Sequence, residues 1–341
     1  MGILLNLRKK IAVCLVSGVA LVAATSAQAA EKYAALIIDA DTGVVLHQEN
    51  AGEYRYPASL VKMMTIYMVF QAIENGKLSM DQKIRVSAKA EMQAPSKLGL
   101  RMGDYITVSD AVNGVIIKSA NDAAVVLAEA VGGNEWQFVS MMNRMARRLG
   151  MNHTHFQNSS GLPDRRQKTT AYDLARVAIA LRRDHPQYYY LFAKPSFAFQ
   201  GHVVNSHNRV TKGYKGADGL KTGYIRDSGF NLVTSATRSG RRLIGVVMGG
   251  NTAASRDKKM ISLLDQAFYK VANSTRSGKS SVSSKSSVGS QQKVKDDIED
   301  DVSSPDDSST SDQSSVQWDK APVPVLKANS PQQEGNYQTP S

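Results

Sequence analysis

The sequence predicts an α+β domain in which one antiparallel sheet is built from both ends of the folded segment and a helical lobe is inserted between them. Two observations support this prediction. A hairpin pattern lies at 34–47, where two apolar runs flank the turn sequence DADTG. Three more strand patterns lie at 219–250, after a long middle region whose apolar residues follow helical spacing.

The helices have local signals of their own. One helix is expected to start near Ser59 and to end at Asn75-Gly76, because Asn and Gly commonly follow the last helical residue. The stretch 107–151 reads as helical and is broken at SAND and VGGN. Residues whose side chains can cap the first free amides of the helices are Ser109, Asn134 and Thr170.

The second half of the chain carries the strand signals and a final helix. The strand patterns read SFAF, GLKTGY, GFNLVTSAT and RRLIGVVMGG, and RSGR is expected to be the hairpin turn between the last two. The stretch 253–271 has helical spacing and closes the domain. Strands at both ends and helices between them favour a sheet assembled from both chain ends.

Composition divides the chain into three segments. Residues 1–29 place three basic residues before a short apolar run and the small residues of SAQAA, which is the pattern of a secretory signal peptide. Residues 275–341 are rich in Ser and Asp and poor in apolar residues, which predicts a disordered tail. The segment between them, 30–274, is long enough to bury a sizeable core and is the predicted folded domain.

Charge and cysteine content narrow the classes of function. The chain has a net charge of +12 and its tail is acidic, so the positive excess belongs to the folded segment. This balance suits an acidic partner, and a carboxylate-bearing wall polymer fits an exported protein better than nucleic acid, for which no motif is present. Cys14, the only cysteine, lies within 1–29, so no disulfide, thiol nucleophile or cysteine metal site is expected.

Three short motifs point to chemistry when they are read together. They are SLVK at 59–62, SAN at 119–121 and KTG at 221–223. Each alone has an ordinary structural explanation: a capped helix start, a break between two helices and a basic strand. Their joint presence in this order favours a shared site.

The residue types explain how such a site could work. A serine hydroxyl is a poor nucleophile until a base removes its proton, and Lys62 lies on the same helix face as Ser59. Lys62 can act as that base only when neutral, which burial and the charge of Lys221 would favour. The Ser119 hydroxyl can donate and accept at once and so relay a proton, and the Asn121 amide can hold a substrate carbonyl or the lysine amine.

The chain resembles the superfamily of penicillin-binding proteins and class A β-lactamases, whose signature is S-x-x-K, an S-D-N-type triplet and K-T-G. Within that superfamily, YPASLVKMMT, KSANDAA, NSSGLPD and DGLKTGYIRDSGFNLV are similar to the low-molecular-mass, serine-type D-Ala-D-Ala carboxypeptidases of peptidase family S11. The resemblance implies a β-lactamase/transpeptidase-like fold over 30–274, with a five-stranded antiparallel sheet packed with helices and an inserted all-helical lobe.

The resemblance also implies roles for single residues. Ser59 would be the nucleophile that forms an acyl ester, Lys62 the general base and Ser119 the proton relay. The implied substrate-binding residues are Asn121, Lys221, Thr222, Gly223, Tyr224 through its backbone N–H, and Arg256. The implied reaction removes the terminal D-Ala from peptidoglycan pentapeptide, β-lactams would trap the serine covalently, and no cofactor or metal is implied.

Other reactions are conceivable for a chain with these motifs. A fast class A β-lactamase is disfavoured, because neither Glu129 nor Glu135 lies in an E-x-x-L-N context. A DD-endopeptidase acting on cross-linked peptidoglycan and a β-lactam sensor that is acylated without turnover would carry the same motifs, so both remain alternatives. A metallopeptidase is disfavoured, because the histidines do not form an H-E-x-x-H motif.

The C-terminal segment departs from the pattern of similar enzymes. Many of them have a second small β-rich domain and an amphipathic helix that lies on the membrane, whereas here the acidic Ser/Asp-rich tail stands in that place. No apolar stripe is present in the tail, so no stable membrane anchor is expected. The expectation is an exported enzyme of the periplasm or cell-wall space.

Overall fold

The first elements of the structure form a hairpin and a helix. The computed structural model describes residues 32–282, with side chains up to residue 273. The predicted signal segment, 1–29, and residues 283–341 of the predicted tail lie outside the described residues. The hairpin consists of β1 (Ala34–Asp39) and β2 (Val45–Glu49), and a 3₁₀ turn (Ala58–Val61) then leads into helix α1 (Lys62–Glu74).

The middle of the chain forms the predicted helical lobe together with a small two-stranded sheet. Its elements are β3 (Lys83–Arg85), α2 (Ala88–Glu91), β4 (Tyr105–Thr107), α3 (Val108–Asn113), a π-helical turn (Gly114–Lys118), α4 (Asn121–Gly132), α5 (Glu135–Arg148) and α6 (Ala171–Asp184). Asn134 and Thr170 cap α5 and α6 as predicted. Ser109 was the wrong cap for α3: the helix begins earlier, and the Thr107 hydroxyl accepts from the Asp110 amide at 3.0 Å.

The last part of the chain supplies most of the strands. Its elements are a 3₁₀ turn (Tyr189–Ala193), β5 (Ser196–Phe199), β6 (His202–Asn205), α7 (Arg209–Gly213), β7 (Ala217–Ile225), β8 (Gly229–Arg238), β9 (Arg241–Gly250) and α8 (Ala253–Val282). Strands β5 and β6 form a small sheet of their own. Helix α8 runs to Val282 and so continues beyond residue 271, where it was predicted to end.

The main sheet confirms the predicted fold. Its five strands lie in the order β2-β1-β9-β8-β7, and every neighbouring pair is antiparallel. Strand β1 pairs with β9, so the two ends of the folded segment meet in the middle of the sheet. Strand β7, which carries the KTG motif, lies at one edge, beside the 3₁₀ turn that contains Ser59.

Helices cover both faces of the sheet. All six residues of β1 are buried. Ala35 and Ile37 belong to a core with Leu263, Leu264 and Phe268 of α8. Neighbouring strand residues point to opposite faces of a sheet, so Ala34, Leu36 and Ile38 of β1 face the other side, on which α6 packs.

Helix α1 is buried around almost its whole circumference. Its buried residues include Lys62 and Thr65 in addition to the apolar side chains. A helix that is apolar all round belongs inside a protein, and any charge within it loses contact with water. The position of α1 therefore determines the environment of the SLVK lysine. No helix in the part of the chain that the structure describes is long and apolar enough to cross a bilayer.

Candidate active site

Ser59 lies on a tightly held turn at the start of α1. The Asn231 side-chain amide donates to the carbonyls of Tyr56 and Pro57 at 3.0 and 3.2 Å, while its oxygen accepts from the Gly249 amide at 3.0 Å. Asn231 thus ties the turn to β8 and β9. Its position in the GFNLV strand pattern did not indicate this role, because a polar residue in a strand is usually read as facing solvent.

Two glycines let neighbouring segments approach this turn closely. A Cβ at Gly223 of β7 would lie 3.1 Å from the Ser59 nitrogen, so the edge strand passes directly beside the serine backbone. A Cβ at Gly161, whose φ is +86°, would lie 1.9 Å from the Ala58 carbonyl oxygen. Only glycine fits either position without moving the backbone.

The Lys62 amine is held by three oxygen atoms. Its Nζ lies 3.1 Å from Ser59 Oγ and 2.7 Å from Asn121 Oδ1, and it also bonds the Ser160 carbonyl. The Asn121 amide nitrogen in turn donates to the Ala94 carbonyl at 2.8 Å, which fixes the amide with its oxygen toward the lysine. The SLVK and SAN motifs therefore meet at one nitrogen atom.

This arrangement can accommodate a neutral amine. A carbonyl oxygen can only accept hydrogen bonds, so the Asn121 and Ser160 oxygens take both N–H groups of an uncharged amine. The remaining lone pair is then free for the Ser59 hydroxyl, 3.1 Å away, which can donate to it. The geometry offers a proton acceptor to Ser59 without any rearrangement.

Burial and charge act on the two lysines of the site in the same direction. Lys62 is fully buried, and burial first, then the positive charge of Lys221, lower its pKa well below 10.5. Burial also lowers the pKa of Lys221, to about 7, with a further contribution from the charge of Arg256. The lowered pKa of Lys62 favours its neutral form, while the pKa of Lys221 lies close to neutral pH.

Asp122 fixes the loop that faces Asn121. This fully buried carboxylate follows the SAN motif and accepts from the backbone amides of Leu98, Gly99 and Leu100 at 2.9–3.1 Å. The same loop supplies the Ala94 carbonyl that orients Asn121. Sequence reasoning missed this role, because the partners of Asp122 lie more than twenty residues away in the chain.

Glu135 fixes the loop that carries the Ser160 carbonyl. Its carboxylate accepts from the Ser159 amide and hydroxyl at 3.0 and 2.7 Å and pairs with Lys89 at 2.7 Å. The Ser159 carbonyl accepts from Thr65 of α1 at 2.6 Å. Glu135, one of the two glutamates in the region where a class A β-lactamase carries its hydrolytic base, therefore holds the NSSG segment against α1.

Ser119 has an unusual backbone and an unpaired hydroxyl. It ends the π-helical turn in the left-handed region, with φ 61° and ψ 33°. Such turns and backbone conformations occur often at functional sites. The buried Oγ makes no hydrogen bond to any of the described residues, so it retains a donor and an acceptor for a reacting molecule.

The remaining predicted residues line or support the edge strand. Lys221 is buried, and its amine donates to the Thr222 carbonyl at 2.9 Å. Arg256 is also buried: it bonds the Asn231 carbonyl at 3.0 Å and pairs with Asp257 at 2.6 Å. The Tyr224 side chain is exposed and lies against Phe230, with ring centroids 4.3 Å apart.

One of the histidines, His185, has a structural role. His185 is buried in the core, where its ring contacts Tyr67 and its Nδ1 lies 2.9 Å from Glu74. Among residues 32–273, no three His, Cys, Asp or Glu side chains lie close enough to hold a metal ion together.

The chain is similar to a well-defined group of proteins. A family model described as D-alanyl-D-alanine carboxypeptidase matches residues 21–252. The D-alanyl-D-alanine carboxypeptidase DacF of Bacillus subtilis is 35% identical over 254 residues, which are 72% of this chain and 64% of that protein. The chain thus spans less than two thirds of the length of this curated relative, and the same holds for DacD of Escherichia coli, at 61%.

Solved structures share the fold. Penicillin binding protein 5 from Haemophilus influenzae has 34% sequence identity and a TM-score of 0.67, over 69% of this chain and 70% of that chain. Penicillin-Binding Protein D2 from Listeria monocytogenes, solved in a cefotaxime-bound form, has 30% identity and a TM-score of 0.64, over 70% of this chain and 97% of that chain. Both sequence identities are higher than is usual between proteins that share only a fold.

Proposed function

Because this chain belongs to the D-alanyl-D-alanine carboxypeptidase family, we propose that it removes the terminal D-Ala from peptidoglycan pentapeptides through an acyl-serine intermediate. The observation that carries the proposal is the contact between Ser59 Oγ and the buried, three-coordinate amine of Lys62. A β-lactam, which mimics D-Ala-D-Ala, would acylate the same oxygen. The cefotaxime-bound relative supports this part of the proposal.

The first half of the proposed reaction forms the ester. Ser59 Oγ bonds to the carbonyl carbon of the penultimate D-Ala while its proton passes to Lys62 Nζ. The backbone N–H groups of Ser59 and Tyr224 would stabilise the negative oxygen that develops, and each such donor is worth about 10²–10³ in rate. The C–N bond then breaks, and the leaving amine takes a proton from Lys62 through the Ser119 hydroxyl.

The second half of the proposed reaction releases the shortened peptide. Water adds to the ester carbonyl and gives a proton to the neutral Lys62 amine. The bond between the acyl carbon and Ser59 Oγ then breaks, and Oγ takes that proton back from Lys62. Before either half of the reaction, Lys221 would bind the terminal carboxylate of the pentapeptide by its charge, and Thr222 would bind it by its hydroxyl. Arg256, which is already paired, would act on that carboxylate through the pKa of Lys221.

The direct test of this function uses the Ser59→Ala variant. Wild-type protein should release D-Ala from a pentapeptide over many turnovers and bind fluorescent penicillin covalently, whereas the variant should do neither. Equal release by the two proteins would refute the proposal. A single stoichiometric burst from the wild type would instead indicate a sensor, and cleavage of cross-linked peptides without release from pentapeptide would indicate an endopeptidase.

A pH profile tests the roles of the two lysines. The reaction needs Lys62 neutral, so kcat/KM should rise as pH increases through its lowered pKa; it needs Lys221 charged, so kcat/KM should fall as pH passes about 7. Arg256→Gln removes a positive charge that lowers the pKa of Lys221, and should move the falling limb to higher pH. Lys258→Gln on the same helix is the control, and a limb that stays in place in Arg256→Gln would contradict this role.

We also propose that the protein acts outside the cytoplasm, in the periplasm or cell-wall space. The signal-peptide pattern of residues 1–29 and the wall peptide on which the family acts support this. N-terminal sequencing of protein recovered from cells should find a start near Ala30, and a chain that still starts at Met1 would contradict it.

A further inference from the structure

A cavity of about 310 Å³, here named the α5 cavity, lies where α5, α2 and residues 155–157 meet. Its lining residues differ from those of the proposed catalytic site. Residues three, four and seven positions apart share one side of a helix, so a single face of α5 forms one wall: Trp136, Val139, Ser140 and Asn143. Cavities that bind small molecules measure about 300–1,000 Å³, so the α5 cavity suits a ligand built around a single ring rather than a peptide segment.

The Trp136 side chain provides an apolar surface at this cavity. Trp136 lies in the first turn of α5 and is 76% exposed to solvent. An indole can bury about 150–250 Å² against a partner and loses little conformational freedom when it does so. The α5 cavity therefore combines a flat aromatic face with a recess beside it.

The two opposite charges of the α5 cavity are engaged with each other. Lys89 pairs with Glu135 at 2.7 Å, and the Glu135 carboxylate also accepts from the Ser159 amide and hydroxyl. A charged ligand would have to compete with this pair and leave the largely buried carboxylate short of a partner. The cavity therefore favours an uncharged ligand.

Neutral hydrogen-bonding groups at the cavity are still available. The Gln157 side-chain amide and the His155 ring make no hydrogen bond to any residue in 32–273. The Ser140 hydroxyl donates to the Trp136 carbonyl at 3.2 Å and keeps its acceptor lone pairs. A free side-chain amide offers one acceptor and two donors, which can pair with both polar groups of another amide.

We propose that the α5 cavity binds a neutral sugar ring that carries an acetamido group. The apolar C–H face of the ring stacks on Trp136, and the acetamido group pairs with the Gln157 amide. The ring hydroxyls bond Ser140 and His155. Peptidoglycan, whose peptides are the proposed substrate, contains sugars of this kind, so the identification with a wall glycan rests on the proposed function.

A ¹⁹F NMR titration tests the position of this site. The chain has two tryptophans, Trp136 and Trp318, so full-length protein labelled with fluorotryptophan gives one resonance for each, and Trp136→Phe identifies the first. Tri-N-acetylchitotriose, a soluble oligomer of an acetamido sugar, should shift the Trp136 resonance and leave the Trp318 resonance in place. A Trp136 resonance that does not move at any concentration of the trisaccharide would overturn the proposal.

Calorimetric titration of variants tests the proposed contacts. Trp136→Ala should raise the Kd of the trisaccharide by about tenfold, through loss of the stacking face. Gln157→Ala should raise it by about fivefold, the effect of one neutral hydrogen bond. Tyr190→Ala, which removes an exposed ring elsewhere on the protein, is the control and should bind as wild type does.

A second saccharide tests the acetamido preference. Cellotriose has the same rings with a hydroxyl in place of each acetamido group, and should bind wild-type protein about fivefold more weakly than tri-N-acetylchitotriose. Equal affinities for the two saccharides would contradict the proposed ligand.

The Ser59→Ala variant separates this inference from the proposed function. It should release no D-Ala from pentapeptide and yet bind the trisaccharide with the wild-type Kd, because Ser59 is not part of the α5 cavity. Wild-type protein that releases D-Ala but binds no saccharide would overturn this inference alone. Saccharide binding without D-Ala release would overturn the proposed function alone.

Discussion

Lys62→Gln is expected to lower the rate of Ser59 acylation by about 10²–10⁴-fold, the contribution of a positioned general base. The glutamine side chain is neutral and shorter, and its amide nitrogen has no lone pair that accepts a proton from the serine. Lys62→Arg should lose a similar factor, because a guanidinium stays protonated. The measurement is the second-order rate of covalent labelling by penicillin, followed together with D-Ala release.

Folding has to be controlled in this experiment, because Lys62 is fully buried. Thermal unfolding of the variants should remain cooperative, and burial of a smaller neutral group removes a desolvation cost rather than adding one. Lys77→Gln, an exposed lysine just after α1, is the matched control and should label at the wild-type rate. A folded Lys62→Gln protein that labels within a few-fold of wild type would contradict the role of the amine.

Gly161→Ala is the second change with a large expected effect. The added Cβ would overlap the Ala58 carbonyl oxygen at 1.9 Å and come within 2.9 Å of the Ser59 nitrogen, and its φ of +86° is unfavourable for alanine. The Ala58–Ser59 backbone must then move, and a displacement of about 1 Å in a reacting group costs about 10²-fold in rate. We expect both a loss of acylation and a lower Tm.

Gly76→Ala separates these two effects. Gly76 has a similar left-handed φ of +70°, but a Cβ there meets no atom within 4 Å. It should lose about 1 kcal/mol of stability from backbone strain and keep the wild-type acylation rate. If both glycine variants lowered the acylation rate to the same extent, the close contact between Gly161 and the serine turn would not explain the effect.

The architecture was predictable because its signals are local. The apolar strand patterns in 34–47 and 219–250, and the helical spacing between them, depend on which residues each element presents to the core. A sheet built from both ends of the folded segment was expected from the order of the strand and helix patterns, and β1 pairs with β9 in that way. The cap of α3 and the end of α8 were misplaced, because helix boundaries depend on a few neighbouring side chains.

The site was only partly accessible from the sequence. The resemblance pointed to Ser59, Lys62 and Asn121, and the structure brings their side chains together at one amine. Nothing in the sequence indicated that Asp122 and Asn231 hold the surrounding segments, because their hydrogen bonds join residues that are distant in the chain. Long-range polar contacts of this kind leave no periodic pattern.

The neutral state of Lys62 is the central claim, and a ¹⁵N NMR titration of the lysine side chains tests it directly. The resonance that disappears in Lys62→Gln should titrate well below 10.5, because the amine is buried and lies near the charge of Lys221. Lys221→Gln should move that resonance to a higher pKa. A Lys62 amine that titrates near 10.5 in the folded protein, or that does not respond to the loss of Lys221, would contradict the account.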